Sequence, residues 1–428
     1  MVSKWSTLKE IQKNTSDWKV VKLNSFSTKA KNSFVNGPFG SDLLSSELTN
    51  EGRPVVYIRD IQNGSYKNKS NICITEEKFE SLPSCQVVFG DVIISKVGAP
   101  PCEAAIYDSQ ISGIVTQDVI RIRCEELPQS IFLKYLLNSD IGKRQVQQIK
   151  ISGTRERVSL TDFKKIRLPQ PTINEQQKIA NILSTWDNAI STTECLIDNS
   201  TQQKKALMQQ LLTGKKRLLD ESGKRFEGEW GDVKLSAIVK VTGGNAFKST
   251  DFKDSGIPLI KISNIKPDYS VSIKSSVFIA LDQKYDKFQI KNGDVLIAMS
   301  GATTGKIGKY TFDEIAYLNQ RVGRFDVRKG LTTKSYIFQL LKLPKIQHEI
   351  LIDAVGGAQP NISNKDIERI KILIPPIKEQ QKIATVLTSA DKEIDLLKQQ
   401  LVDLQQEKKA LMQVLLTGKV RVVVERES

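Results

Sequence analysis

The segment SGATTGKIG (residues 300–308) is a glycine-rich run ending in a lysine, the kind of run that can wrap a phosphate. A P-loop needs four residues between its glycines and a hydroxyl after the lysine to hold magnesium. Here three residues separate Gly301 from Gly305, and Ile307 follows Lys306. The run is therefore read as a turn that brings Lys306 toward a phosphate. Pro375 and Pro376 stand in ILIPPI with no Asp or Asn before them, so the adenine-methyltransferase signature is missing. No G-x-G-x-x-G follows a strand-like run, which leaves a dinucleotide site without support. The five cysteines (Cys73, Cys85, Cys102, Cys124, Cys195) form no CxxC pair, and His348 is the single histidine. Zinc sites and serine triads lose their usual ligands, and His348 is expected on a helix surface. The sequence predicts no catalytic, cofactor-binding or metal-ligating residues.

Charge points elsewhere. Lys and Arg number 63 against 48 Asp and Glu, a net +15. Such a surplus suits a polyanionic partner. No apolar run is long enough for a membrane span, and residues 1–18 have no apolar signal core, so a cytoplasmic chain is expected.

The elements that would position any such site come from an internal repeat. EQQKIA occurs at 175–180 and at 379–384, and KKALMQxLLTGKxR begins at Lys204 and Lys408, both at an offset of 204 residues. Over 175–218 the copies agree at 22 of 44 positions without a gap. Weaker matches continue upstream: residues 157–171 with 361–375, GDVIISKVG with GDVLIAMSG, and DWKVVKL (17–23) with EWGDVKL (229–235). The chain is two copies of one unit, a variable globular part followed by a well-matched helical part.

In the second copy, Ile383, Val386, Ala390, Ile394, Leu397, Leu401, Leu404, Leu411 and Leu415 fall in steps of three and four, broken at Lys408. That is a coiled-coil period. The first copy keeps Ile179, Ile182, Trp186, Ile190, Ile197, Leu207 and Leu211, with Thr193, Ser200 and Lys204 on the same stripe. Gly214 and Gly418 mark helix ends. Each helix of roughly 40 residues would run about 60 Å. A single apolar stripe must be buried, and the simplest partner for each is the other. The alternative is that each helix packs on its own domain. VVYIRDI and LIKISNI read as strands, VVFGDVIIS and KNGDVLIAM as turn–strand pairs, and IFLKYLLNS and SYIFQLLKL as helices.

The doubled IPxPxxxEQxxIAxxL entry (168–183 and 374–387) and the KKALMQxLLTGKxR exit resemble the central and C-terminal repeats of type I restriction–modification specificity subunits. The resemblance implies an α+β chain of two mixed α/β target recognition domains in tandem, each followed by a long helix. The helices would pair as an antiparallel coiled coil with pseudo-two-fold symmetry. The divisions are 1–17, an N-terminal extension; 18–172, recognition domain 1; 173–216, the central helix; 217–376, recognition domain 2; 377–424, the C-terminal helix; and 425–428, a tail. The resemblance implies a non-catalytic subunit that reads a bipartite, asymmetric double-stranded DNA target and is clamped by two methyltransferase subunits, with restriction subunits joining. S-adenosylmethionine, ATP and magnesium would belong to those partners. The alternative is an autonomous sequence-specific DNA-binding protein.

Candidate DNA contacts lie in or beside predicted turns: Arg59, Lys96, Arg121, Arg155 and Arg157 in the first copy, and Lys261, Lys306, Arg321 and Arg324 in the second. Lysines and arginines near the helix ends (Lys204, Lys205, Lys215, Lys216, Arg217; Lys408, Lys409, Lys419, Arg421) are expected to complement helix dipoles or to meet a methyltransferase subunit.

Overall fold

The structure, a computed structural model, describes residues 11, 15, 17–38, 40–98, 101–151, 156–274, 276–352 and 360–423. The chain divides into two compact units, Met1–Glu194 with Gln400–Ser428, and Cys195–Gln399. The division falls inside both long helices, Ile173–Leu211 and Ile377–Leu415, rather than at their ends.

The first unit holds a four-stranded antiparallel sheet in the order Ala104–Ile106, Val92–Ser95, Val119–Ile122, Phe34–Asn36. A five-stranded sheet follows the order Leu48–Thr49, Cys73–Ile74, Arg53–Val56, Gly113–Val115, Gln86–Val87, with one parallel pair, Arg53–Val56 on Gly113–Val115. Lys19–Lys22 pairs antiparallel with Arg167–Gln170, tying the start of the domain to the strand that leads into the long helix.

Side-chain alternation layers these sheets. Val92 and Ile94 face one way, into a cluster with Phe132, Leu133 and Leu136 of the helix Leu127–Asn138. Ile93 faces the other way, against Val56, Val87 and Val115 of the five-stranded sheet. Strands covered on both faces need continuous apolar runs, which is why VIIS is buried at all four positions.

The second unit repeats this plan. Its four-stranded sheet runs Val239–Gly243, Val322–Val327, Val295–Ala298, Ile307–Lys309, and its five-stranded sheet Phe252–Lys253, Phe278–Ile279, Ile257–Ile260, Ala316–Leu318, Gln289–Ile290. The parallel pair recurs between Ile257–Ile260 and Ala316–Leu318. Val295 and Ile297 join the cluster of the helix Lys334–Leu341, while Leu296 and Ala298 face the other sheet. The duplication thus extends through parts where the sequences barely match.

Two expectations need adjusting. VVYIRDI and LIKISNI are strands only to Val56 and Ile260; Ile58–Asp60 and Ile262–Asn264 are single helical turns. The cause is a buried polar residue in each: Asp60 accepts the Tyr57 amide and Asn264 the Lys261 amide, drawing the backbone off the sheet. Second, pairing of the helices and packing on a domain both occur. Ile179, Ala180 and Leu183 join the core of the first unit together with Leu415 and Leu416. Ile383, Ala384 and Leu387 join that of the second with Met208, Leu211 and Leu212. Each domain core is therefore completed by the start of its own helix and the end of the other. Of the N-terminal extension, Ile11 and Thr15 are buried in the first unit.

Gly214 and Gly418 end the helical repeats in the left-handed region, at φ 71° and 65°. A side chain there is strained by about 1–2 kcal/mol. A Cβ at Gly214 would rest 3.3 Å from the Trp230 ring, whereas one at Gly418 would lie 2.1 Å from the buried Thr15 methyl. Gly214→Ala is expected to cost about 1–2 kcal/mol, and Gly418→Ala about 1–3 kcal/mol more from overpacking. Thermal unfolding of the two variants in parallel checks this; equal losses would remove the Thr15 contact as the cause.

Candidate nucleic-acid interface and its helix anchors

The best-matched residues of the repeat turn out to be fasteners. Glu175 opens the first long helix and is 4% exposed. Thr172 caps that helix with it: the Glu175 amide donates to Thr172 Oγ1 at 3.4 Å, and the Thr172 amide donates to Glu175 Oε2 at 3.3 Å. This is a capping box. Its carboxylate also accepts from Trp18 Nε1 at 3.2 Å and from Arg421 at 2.6 and 2.9 Å. Arg421 in turn forms a bidentate pair with Asp17 at 2.8 Å.

The second unit copies the arrangement. Glu379, fully buried, accepts from Trp230 Nε1 at 3.2 Å and from Arg217 at 2.7 Å. Pro376 stands where Thr172 does, so the capping box is lost and Arg217 with Trp230 carry the carboxylate. The next residue is committed too. Gln176 and Gln380 donate to the carbonyls of Pro171 and Pro375, each at 2.9 Å. EQQKIA thus reads as a charge anchor, a carbonyl clasp, two exposed residues and two core residues. The exit arginine serves the other copy's glutamate: Arg421 pairs with Glu175, and Arg217 with Glu379.

A second carboxylate lies three turns further along each helix. Asp187 is bonded by Lys408 and by Tyr135 Oη, and lies 3.2 Å from Lys134 Nζ. Asp391 is bonded by Lys204, by Gln339 Nε2 at 2.7 Å and by Lys342 Nζ at 3.1 Å. Lys204 and Lys408, which looked like breaks in the apolar seam, are cross-helix ion pairs. In each unit the contacts run antiparallel: 408 meets 187 while 421 meets 175, and 204 meets 391 while 217 meets 379. Tyr135 and Gln339 sit on the domain helices, so each aspartate joins both long helices and the recognition domain.

Burial alone would raise the carboxyls of Asp187 and Asp391, but the surrounding ammonium groups and hydrogen bonds hold them below the ordinary value. Burial pulls Lys342 down to about 8 despite Asp391. Its ammonium lies 4.0 Å from the Phe338 ring and 4.9 Å from that of Tyr269, cation–π contacts that offset part of its desolvation.

Beside each aspartate opens a cleft. In the first unit it has a volume of about 620 Å³ and is lined by Arg59, Lys134, Lys143, Lys408, Glu103 and Asp187 among others. In the second it is about 1000 Å³, with Lys204, Lys309, Lys342, Lys398, Asp268 and Asp391 on its walls. Both have more cationic than anionic side chains.

The sequence-derived DNA candidates scatter. Arg59 is exposed in its turn. Lys96 and Arg157 come together: Lys96 accepts the Val158 amide, and Arg157 bridges Val97. Lys306 and Arg321 likewise flank one strand end, their carbonyls accepting the Ala298 and Met299 amides. Lys261 is half-buried over the Phe252 ring. Arg155 lies outside the described residues.

Arg121 is a correction. It is 2% exposed, between the two sheets, and donates to the carbonyls of Asn32 and Ser84. A guanidinium sealed there holds loops and has no path to a groove. Arg324, its counterpart, donates to the Gln289 carbonyl and pairs with Asp326, so it too is committed to the fold. The turn at Gly301–Thr303 is closed by a bond from the Gly301 amide to the Pro360 carbonyl, leaving Lys306 half-buried behind it. His348 is exposed on the helix Pro344–Ile352.

Two domains of one topology, each closed by the start of one long helix and the end of the other, define a duplicated two-helix class of protein, and comparison with known proteins identifies its family. Residues 15–199 and 227–406 match the family described as type I restriction modification DNA specificity domain. The chain belongs to that family. It is 31% identical over 324 residues to the type I restriction enzyme MjaVIII specificity subunit of Methanocaldococcus jannaschii, covering 72% of this chain and 75% of that one. It is 21% identical over 275 residues to the EcoKI specificity subunit of Escherichia coli, covering 61% and 58%. A type I restriction–modification S subunit from M. genitalium has the same fold, with a TM-score of 0.59 at 17% identity over 93% of this chain and 96% of that one.

Removing a carboxylate from a buried pair leaves its partner charged and unpaired. Glu379→Gln is expected to cost on the order of 3 kcal/mol. Asp391→Asn should cost less, because Asp391 keeps a quarter of its side chain in solvent. Urea unfolding followed by tryptophan fluorescence measures both; the reverse order would sink this ranking.

Lys342 gives a pH test. Its folded value of about 8 lies below the unfolded 10.5. Between these the unfolded chain binds more protons, so stability rises with pH across pH 8–10.5, by at most about 1.4 kcal/mol per unit. Lys342→Met should remove that rise. For Asp187 and Asp391 the sign is the same but the cause is pairing rather than burial: their contribution is present above the unfolded value of 3.8 and is lost as pH falls through the depressed folded values.

Proposed function

We propose that this chain chooses the DNA site for a type I restriction–modification complex and catalyses no step itself. The observation that carries this reading is the pairing of sameness and difference. Two domains share one topology and one set of anchors, yet differ in the side chains they expose. A protein that must read two different half-sites in a fixed relation needs that combination. Each recognition domain contacts one half of a bipartite, asymmetric target, and the long helices set the gap between the halves. Two methyltransferase subunits bind the chain, restriction subunits join them, and S-adenosylmethionine, ATP and magnesium are held by those partners. Such a complex acts on cellular DNA, which places the chain in the cytoplasm; no helix among the described residues is long and apolar enough to cross a membrane. An autonomous DNA-binding protein would not need helices shared between domains, and the family membership favours the complex.

Co-expression with its methyltransferase subunit, in a host lacking DNA methylation, should produce modified adenines at one two-part motif with a fixed gap. Sequencing the host genome for modified bases reads the outcome. No motif despite a stable complex would overturn the specificity role. Exchanging residues 18–170 for another recognition domain should change one half of the motif only. A change in both halves would show that the domains do not read independently.

A further inference from the structure

We infer that Arg59 reads a guanine in the half-site bound by the first recognition domain. The inference rests on the specificity reading above and names the residue and base that carry part of it.

Arg59 sits in the turn Ile58–Asp60, which leaves the strand Arg53–Val56. The turn is fastened from below by Asp60, which is fully buried. Its carboxylate accepts the Tyr57 amide at 2.8 Å, the Ser70 amide at 2.7 Å and the Ser70 hydroxyl at 2.8 Å. Its carbonyl accepts the Lys67 amide at 2.8 Å. Ser70 Oγ then accepts from Arg59 Nε at 2.7 Å. The guanidinium carbon lies 4.9 Å from the Tyr57 ring centroid. A buried carboxylate, a hydroxyl relay and an aromatic face therefore fix the guanidinium plane.

What remains free is the forked end. Arg59 is exposed, and among the described residues no protein group bonds to its Nη1 or Nη2. Two parallel N–H donors held in a plane match the O6 and N7 acceptors of guanine in the major groove. The cleft that Arg59 lines also presents Lys134, Lys143 and Lys408 against Glu103 and Asp187, a surface that tolerates a nearby phosphate backbone.

The second copy distinguishes base from phosphate. Its turn, Ile262–Asn264, occupies the same place after the same strand, and Asn264 fastens it: Oδ1 accepts the Lys261 amide at 2.8 Å, and Nδ2 donates to the Ser272 carbonyl at 2.7 Å. On that scaffold Lys261 stands for Tyr57 and Ser263 for Arg59. Both half-sites have the same phosphate backbone, so a phosphate contact would be useful in both copies. Bases differ between half-sites, and a base-reading position is where the copies should diverge.

The test uses the complex of the full chain with its methyltransferase subunit and maps methylation for wild type, Arg59→Ala and Arg59→Lys. Wild type should require a G·C pair at one position of one half-site. Both variants should relax that position alone, with methylation at the original site about ten- to a hundredfold slower and the other half-site and gap unchanged. Arg59→Lys keeps the charge and loses the fork, so it separates base reading from attraction to phosphate and guards against a folding defect in Arg59→Ala. An unchanged motif overturns the inference, whether affinity is intact, is uniformly weaker with a salt slope shallower by about one (a phosphate contact), or is accompanied by weaker subunit assembly (a protein contact). Absence of any motif with wild type would instead overturn the specificity reading itself.

Discussion

A carboxylate buried at the start of each long helix organises the rest of this structure. Glu175 and Glu379 are almost fully withdrawn from water, and a buried carboxylate is tolerable only when it is paired and hydrogen-bonded. Each is paired by an arginine from the far end of the other helix and by the indole of the tryptophan that begins its domain. One group therefore fixes three things: where the helix starts, which segment packs beside it, and where the domain chain enters. The aspartates three turns on repeat the logic with lysines and add the domain helix through Tyr135 and Gln339.

This wiring accounts for the distribution of likeness between the copies. The helical parts agree closely because their ends fasten each other: the exit arginine of one must match the entry glutamate of the other. The globular parts keep only what the layers need, apolar residues at alternating strand positions and a buried polar residue under each exposed turn. Asp60 and Asn264 do the same work with different chemistry, while the residues displayed above them have diverged. A scaffold that is shared and a display that is not suit a protein that must read two different sequences.

Ion pairs in the seam also bear on specificity of assembly. Lys204 and Lys408 cost burial energy that a leucine would not, and a buried pair adds little net stability. They do fix axial register, since a one-turn slip of either helix would separate both lysines from Asp391 and Asp187. Register matters here because a slip would move each domain along the helix that positions it.

Local periodicity and exact repetition made the duplication, the starts of both long helices, the apolar stripe and the family legible in the sequence, whereas the helix ends expected at 216 and 424 overran Leu211 and Leu415. The sequence did not reveal the partners of Arg217, Arg421, Lys204 and Lys408, for which it suggests helix dipoles or a methyltransferase subunit: their carboxylates lie 162 to 404 residues away, and no local pattern encodes a pairing over that distance. A paired exchange between the copies, an acid at each entry and a base at each exit, was the signal available. Nor did it separate Arg59, displayed on a fastened turn, from Arg121, sealed between two sheets. Both are arginines in apolar surroundings along the chain. Only the layering of the two sheets decided which one faces water.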